Sequence, residues 1–359
     1  MDFYIILDYL IISAFVSLGV NYMVRNIVKR NELLVDLPDK SRKFHEKPTP
    51  LTGGIAIFVS LLISGKLYID INELNEYIPL FSTMVFVASF FIIIVFLIDD
   101  IRGIRPVFRL IVQCGAAYFV IYSTGVYLEN LGNLFGFGEV NLGVYGIPIT
   151  IFCVVGVMNA FNMIDGINGL CAGSALVMLL FTGIASGFIN DSMLVLLIGS
   201  IIGFLAFNLK IVGKKRAVFL GDHGSNFIGF VVAWVAIHCS QIETYPINPI
   251  TILWFIAIPF LDCIGLIIER TLVGKSFATP GRDHIHHKLM QNFSSEASLF
   301  IIMLFSSILG LFALVLQNNF NEYISFYGFV LFGLSYYLIF YFRYKKNYSM
   351  IKLKTVTID

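Results

Sequence analysis

Long apolar runs alternate with short polar segments from one end of the chain to the other. A helix that crosses a bilayer takes about 20 apolar residues. By that criterion the pattern predicts about eleven spans, near 3–24, 52–69, 79–98, 106–123, 143–161, 170–189, 192–209, 224–241, 249–268, 297–316 and 325–342. The glycine-rich run at 52–69 is the weakest of them. The longest polar segments are about 25 residues, too short for a soluble domain, and no internal repeat or low-complexity tract is present. The predicted fold is all-α, a polytopic integral membrane protein with one domain over 1–359.

Composition agrees with that pattern. The 359 residues are 58% hydrophobic and 13% charged, where a soluble domain carries about a quarter charged residues. The net charge of +1 excludes little; the placement of the charges says more. The first span lacks a basic n-region and a small-residue cleavage site, and its cations Arg25, Lys29 and Arg30 follow it, which predicts an uncleaved anchor with its N-terminus outside. Threading eleven spans from there puts 23 of the 24 Lys and Arg on one side, in 25–47, 102–109, 210–216, 270–288 and 343–354. The opposite loops carry acids such as Glu73, Glu129, Asp191 and Glu322. Cation-rich loops are cytoplasmic, so the C-terminus is expected there too. The five cysteines are scattered without pairing or metal-ligand spacing and act as small apolar residues.

This topology gathers five polar clusters on the cytoplasmic side, within loops near 25–51, 99–105, 162–169, 210–223 and 269–296. Asp99 and Asp100 end the third span, either as solvated loop acids or as a site for a hard cation or a proton. Adjacent helical residues point about 100° apart, so the two can serve one site only if the helix end unwinds. In "NAFNMIDGINGL", Asn159, Asn162, Asp165 and Asn168 recur every third residue, a spacing that aligns side chains on a helix surface. Gly166 and Gly169 then break the helix. Asparagine alone would serve as polar glue between helices; a carboxylate embedded in the series favours a ligand site. Asp222 stands between Gly221 and Gly224, where backbone amides can approach an anion or metal, although Asp222 or Ser225 also fits an ordinary helix N-cap. His284, His286 and His287 lack further zinc ligands and the usual spacing. Beside Arg282, Lys288, Arg270 and Lys275 they fit a basic loop gripping phosphates or a sugar, with lipid-headgroup binding as the alternative.

Oxygen ligands without thiolates suit Mg²⁺ or Mn²⁺. Neighbouring Arg, Lys and His suit a phosphorylated substrate, and the membrane surface suits a soluble nucleotide meeting a lipid phosphate. The residues alone therefore point to a divalent-metal phosphotransferase acting on a lipid.

Six motifs in this order, from about residue 36 to 289, resemble the polyprenyl-phosphate N-acetylhexosamine-1-phosphate transferase family: "D-x-P…RK-x-H…P-x-P-x-x-GG", "DD", "NAFN-x-x-DG-x-x-GL", "N…VFLGD-x-GS", "P-x-x-D…R" and "H-I-H-H". The resemblance implies transfer of a sugar-1-phosphate from a UDP-N-acetylhexosamine, with UDP-N-acetylglucosamine preferred, to undecaprenyl phosphate with release of UMP. It implies Asp222 as the Mg²⁺ ligand, with Mn²⁺ as a substitute, and Asp99, Asp100 and Asp165 as catalytic. Phe219 would stack on uracil, with Lys47, Asn159, Asn162, Asn168 and Asn208 around the substrates. Arg282, His284, His286 and His287 would form the sugar-diphosphate loop. The implied location is the bacterial inner membrane, with the site facing the cytoplasm, membrane lipids as surroundings and no nucleic acid as partner; a homodimer is compatible. Asn168 stands where many members carry Asp, and Gly281 where the sugar-initiating branch often has Asp. "HIHHKL" lacks the third adjacent histidine and "FE" of the muramoyl-pentapeptide branch, which is the alternative. A secondary transporter would place its polar site at the bilayer midplane. An inactive relative would find support in Asn168 but not in Asp99, Asp100, Asp165 and Asp222.

Overall fold

The computed structural model describes residues 3–31, 34–36, 48–71, 80–187, 192–242, 247–272, 274 and 283–356. It is a helical bundle: α1 (Phe3–Asn31), α2 (Gly53–Ile71), α3 (Leu80–Arg102), α4 (Pro106–Thr124), α5 (Gly146–Ile164), α6 (Leu170–Ser186), α7 (Ser192–Asn208), α8 (Asp222–Gln241), α9 (Pro249–Phe255), α10 (Ala257–Leu272), α11 (Ile285–Leu289), α12 (Ser295–Asn319) and α13 (Glu322–Val356). Among the described residues the only sheet pairs two-residue strands, β1 (Val35–Asp36) with β2 (Thr49–Pro50).

A helical element stands at each of the eleven predicted spans, counting α9 and α10 as one. Seven described helices are long and apolar enough to cross a membrane, α2 among them, and the α9–α10 pair, bent by 82°, makes up to eight. α6 and α7 are apolar but shorter. α8 has 20 residues but is interrupted by polar side chains near its start, so its place in the bundle is set by burial instead. It is the central element: Phe227, Phe230 and Trp234 are almost wholly enclosed. A Cβ on Gly229 would stand 2.8 Å from the Cα of Met158, which is how closely α8 approaches α5. α1 meets α7 through small residues, with Ser13 Oγ donating to the Leu196 carbonyl at 2.5 Å and Ser17 Oγ to that of Ser200 at 2.7 Å. In lipid, close packing and such hydrogen bonds replace the hydrophobic drive between helices.

The α4–α5 connection crosses one end of the bundle. It closes on itself through an antiparallel bridge between Asn130 and Asn141. Gln241, ending α8, holds it by accepting from the Glu129 and Asn130 amides at 2.9 and 3.1 Å. Glu322 of α13 accepts from the Asn133 amide. The polar site lies at the opposite end of α4, α5 and α8.

Candidate active site

The site is organised around the start of α8. The first amides of a helix have no partner within it, and Gly221, at φ +80° before Asp222, has no side chain to cap them. The cap comes from α3. Asp100 Oδ1 accepts from the Asp222 amide at 2.9 Å, and Oδ2 from the His223 amide at 3.2 Å and from His223 Nδ1 at 2.5 Å. The N-cap expected of Asp222 or Ser225 is therefore replaced by a residue 122 positions earlier. The Ser225 hydroxyl instead donates to the Asp222 carbonyl at 3.2 Å.

Asp99 and Asp100 both stay on the helix, since α3 runs on to Arg102 without unwinding. Their divergence directs them to different neighbours. Asp99, its side chain fully buried, accepts from the Ile104 amide at 2.6 Å and pairs with Arg109 Nε at 2.6 Å. The same guanidinium reaches Asp222 Oδ2 at 3.3 Å. Arg109 thus links a buried carboxylate to the one whose side chain is 41% exposed.

α5 supplies the next wall. The three-residue series leaves the helix midway: Asn159 and Asn162 lie on α5, Asp165 caps its end with ψ 51°, and Asn168 sits in the turn before Gly169, whose φ is +83°. Asn162 Nδ2 donates to Asp222 Oδ1 at 3.2 Å and to the Ser225 hydroxyl at 2.9 Å. Asn159 Nδ2 donates to Gln113 Oε1 at 3.0 Å, Gln113 Nε2 to Asn226 Oδ1 at 2.7 Å, and Asn226 Nδ2 to the Asp222 carbonyl at 2.9 Å. Solvent reaches the Asp165 carboxylate, but the surrounding helices withdraw most of its hydration. That desolvation, followed by repulsion from Asp222 and Asp100, pushes its carboxyl up to about 8. Neither Asp165 nor Asn168 makes a side-chain hydrogen bond among the described residues. Asn208 is buried with both ends of its amide engaged: Oδ1 accepts from the Gly169 amide at 2.5 Å, and Nδ2 donates to the Val218 carbonyl at 2.9 Å.

Two loops close the recess. Phe219, partly buried, pairs in parallel with Leu51, its amide donating to Pro50 at 2.9 Å and its carbonyl accepting from Gly53 at 2.9 Å. A Cβ on Gly54, in the first turn of α2, would stand 2.3 Å from the Cα of Gly224, so that turn must carry glycine there. The histidine segment forms α11. Asp262 of α10 holds its start, accepting from His284 Nδ1 at 2.8 Å and from the Ile285 amide at 2.8 Å. His286 is 1% exposed and lies against the α5–α6 turn: a Cβ on Gly166 would meet its Nε2 at 2.1 Å. Burial first, then His287 and His284, push this imidazole down to about 3, so it is neutral at pH 7. The expected basic grip is thus not supplied by His286. Both its ring nitrogens lack a partner among the described residues. His287 stacks at a tilt on it, with centroids 4.1 Å apart. Lys47 and Arg282 lie outside the described residues.

The fold therefore assembles Asp99, Asp100, Asn159, Asn162 and Asp222 into one connected network, with Asp165 close enough to repel Asp222 and His286 against the turn that carries Asp165. His223, Arg109, Gln113, Ser225 and Asn226 complete the network and were not among the expected site residues. The available signal was an amide or guanidinium within an apolar span, which needs a polar partner. Among the described residues no group of three Asp, Glu, His or Cys closes a metal cage. The accessible carboxylates of Asp222 and Asp165 instead fit Mg²⁺, which is commonly held by one or two carboxylates with substrate phosphates and water completing its shell.

Residues 82–240, which span most of α3 to α8, match the family model described as glycosyl transferase family 4. Three similar bacterial proteins are each named undecaprenyl-phosphate alpha-N-acetylglucosaminyl 1-phosphate transferase. That of Escherichia coli (strain K12) is 33% identical over 294 residues, covering 80% of this chain and 77% of the relative. That of Yersinia pestis is 35% identical over 291 residues, 79% and 76% of the two chains. That of Haemophilus influenzae is 35% identical over 316 residues, 85% and 86%. With identity of this extent, and with the matched segment falling on the helices that build the site, the chain belongs to glycosyl transferase family 4.

Proposed function

We propose that this protein transfers N-acetylglucosamine-1-phosphate from UDP-N-acetylglucosamine to undecaprenyl phosphate at the cytoplasmic face of a bacterial inner membrane, releasing UMP and starting an envelope polysaccharide. The observation that carries this reading is the pairing of two accessible carboxylates, Asp165 and Asp222, with a buried network that fixes them at one end of a membrane bundle. The cation-rich loops that the sequence gathers on the side of the site support a cytoplasmic location, where a soluble nucleotide meets a lipid phosphate.

Asp222 would hold Mg²⁺ or Mn²⁺, joined by Asp165 once the cation displaces the proton that its raised carboxyl keeps at pH 7, and the ion would neutralise charge between the two phosphorylated substrates. Asn162 orients Asp222, and Arg109 lies within reach of the same carboxylate. A phosphate monoester has a second pKa near 6, so the lipid phosphate is largely dianionic at pH 7 and attacks without a strong base. Its oxygen bonds to the β-phosphorus as the bond from that phosphorus to the oxygen bridging to UMP breaks. Asp99 and Asp100, turned inward on Arg109 and on α8, act by position. Phe219, Asn168 and the α11 histidines line the nucleotide-sugar side.

Purified protein incubated with undecaprenyl phosphate, Mg²⁺ and a panel of UDP-sugars tests this, with the lipid product identified by mass. An undecaprenyl-diphosphate-N-acetylhexosamine is expected. A product formed only from the UDP-muramoyl-pentapeptide would move the protein to the other branch, and no lipid product with any donor would overturn the assignment.

A further inference from the structure

Granted the transferase function proposed above, we infer that His223 is a positioning residue, its Nδ1–H fixing the Asp100 carboxylate as the cap of α8 and so setting where Asp222 points. A carboxylate only accepts hydrogen bonds, so Nδ1 is the donor in this contact of 2.5 Å. Asp100 receives three donors on two oxygens, two of them from His223. Its side chain is 7% exposed and that of His223 is 0%, so no solvent competes for the contact.

The backbone is shaped around this ring. A Cβ on Gly221 would come within 2.7 Å of the imidazole and 2.9 Å of Asp100 Oδ2, and a Cβ on Gly54 within 2.7 Å of His223 Cδ2. Glycines on both sides make room for the imidazole. Without the ring donor, Oδ2 keeps only the 3.2 Å amide contact and Oδ1 its 2.9 Å bond to the Asp222 amide, so the carboxylate, on a different helix, is held less firmly. Asp222 is the first residue of α8, so looseness in this cap moves its carboxylate directly. The remaining side-chain contacts to that carboxylate, from Asn162 at 3.2 Å and Arg109 at 3.3 Å, are longer than the cap bond to the Asp222 amide. Residues behind a metal ligand typically affect metal affinity by about 10- to 100-fold.

The test compares wild type with His223→Leu, which fills space without a donor, and His223→Asn, whose amide can still donate to Asp100. Mn²⁺ binding to the full-length protein in detergent is read by EPR, with and without UMP, alongside the Mg²⁺ dependence of transfer. His223→Leu is expected to weaken Mn²⁺ binding and raise half-saturating Mg²⁺ by about tenfold or more, with kcat at saturating Mg²⁺ within about threefold of wild type. His223→Asn is expected to restore most of the affinity. Unchanged Mn²⁺ affinity in His223→Leu would overturn the inference, as would an Asn variant no better than Leu, or a collapse of kcat with metal affinity intact. If His223→Leu does not elute as a folded species, His223→Ala replaces it under the same criteria, and the Asn variant with wild-type or weakened affinity still decides. A wild type that binds Mn²⁺ but transfers no sugar phosphate would overturn the transferase reading alone.

Discussion

The two ends of α4, α5 and α8 are built from the same materials and finished differently. At one end the 125–145 connection is held by Gln241, Thr150 and Glu322, whose polar atoms bond to its backbone; Thr150 accepts from the Leu128 amide at 2.8 Å. At the other end Asp99, Asp100, Gln113 and Asn226 bond just as fully. Within that frame, however, Asp165, Asn168 and both ring nitrogens of His286 make no hydrogen bond among the described residues. Buried or half-buried polar groups without partners are costly. Asp165 meets solvent and Asn168 is half-buried, so of these groups the enclosed His286 ring bears the largest cost. Unpartnered polar atoms also occur deep in the bundle, at Trp234 Nε1 and Thr251 Oγ1 for example, so what sets the site apart is that such groups stand beside accessible carboxylates.

The largest expected break in this contrast is Asp222→Asn, which should reduce kcat by more than about a thousandfold at any Mg²⁺ concentration. Transfer measured across a Mg²⁺ titration checks it, and a near-normal rate at limiting Mg²⁺ would remove Asp222 from the metal. Asp165→Asn should cost about a hundredfold, because it removes the second accessible carboxylate; the same assay decides. Replacing His286 and His287 by alanine should lower kcat/KM for the UDP-sugar by about tenfold, with elemental analysis finding no zinc in wild type. Stoichiometric zinc would turn α11 into a metal site. Asn168→Ala should raise the apparent KM for the UDP-sugar several-fold, by about the value of one hydrogen bond. Asn168→Asp should have a smaller effect, since it keeps an acceptor, although it adds charge near phosphates. A wild type that is inert until Asn168 becomes Asp would reverse the order and make the protein an inactive relative. The smallest effect on turnover belongs to the far end. Glu322→Ala should leave the rate per folded molecule unchanged and lower stability by about 1–2 kcal/mol, read as an earlier thermal transition in detergent.

The helices were largely legible because apolar runs and glycine breaks are local signals: α5 stops at Ile164, just before the Asp165-Gly166 pair. The acids of the site were legible too, as residues out of place beside apolar runs. What could not be read was which of them face inward. Asp99 and Asp100 look equivalent in sequence, and only α4 and α8, brought together by packing, give one to Arg109 and the other to a helix start. Likewise, nothing near Asn208 announces that it ties the Gly169 turn to Val218. The histidine segment reads as a basic loop because sequence shows its charge-bearing residue types but not the burial that keeps His286 neutral.

The capping of α8 by Asp100 has a consequence for how the protein is made. A chain inserted into the membrane from its N-terminus presents α3 long before residues 222 and 223 exist, because 122 positions separate the acceptor from its first donor. Until α8 arrives, the end of α3 carries two carboxylates, and Gly54 has no Gly224 to press against. The insertion machinery therefore handles α2 to α7 as an unfinished cluster, and α8 must thread into its middle rather than add to its edge. A ribosome that stalls before α8 leaves Asp99, Asp100 and Asp165 in place without Asp222 or the helix start that Asp100 caps.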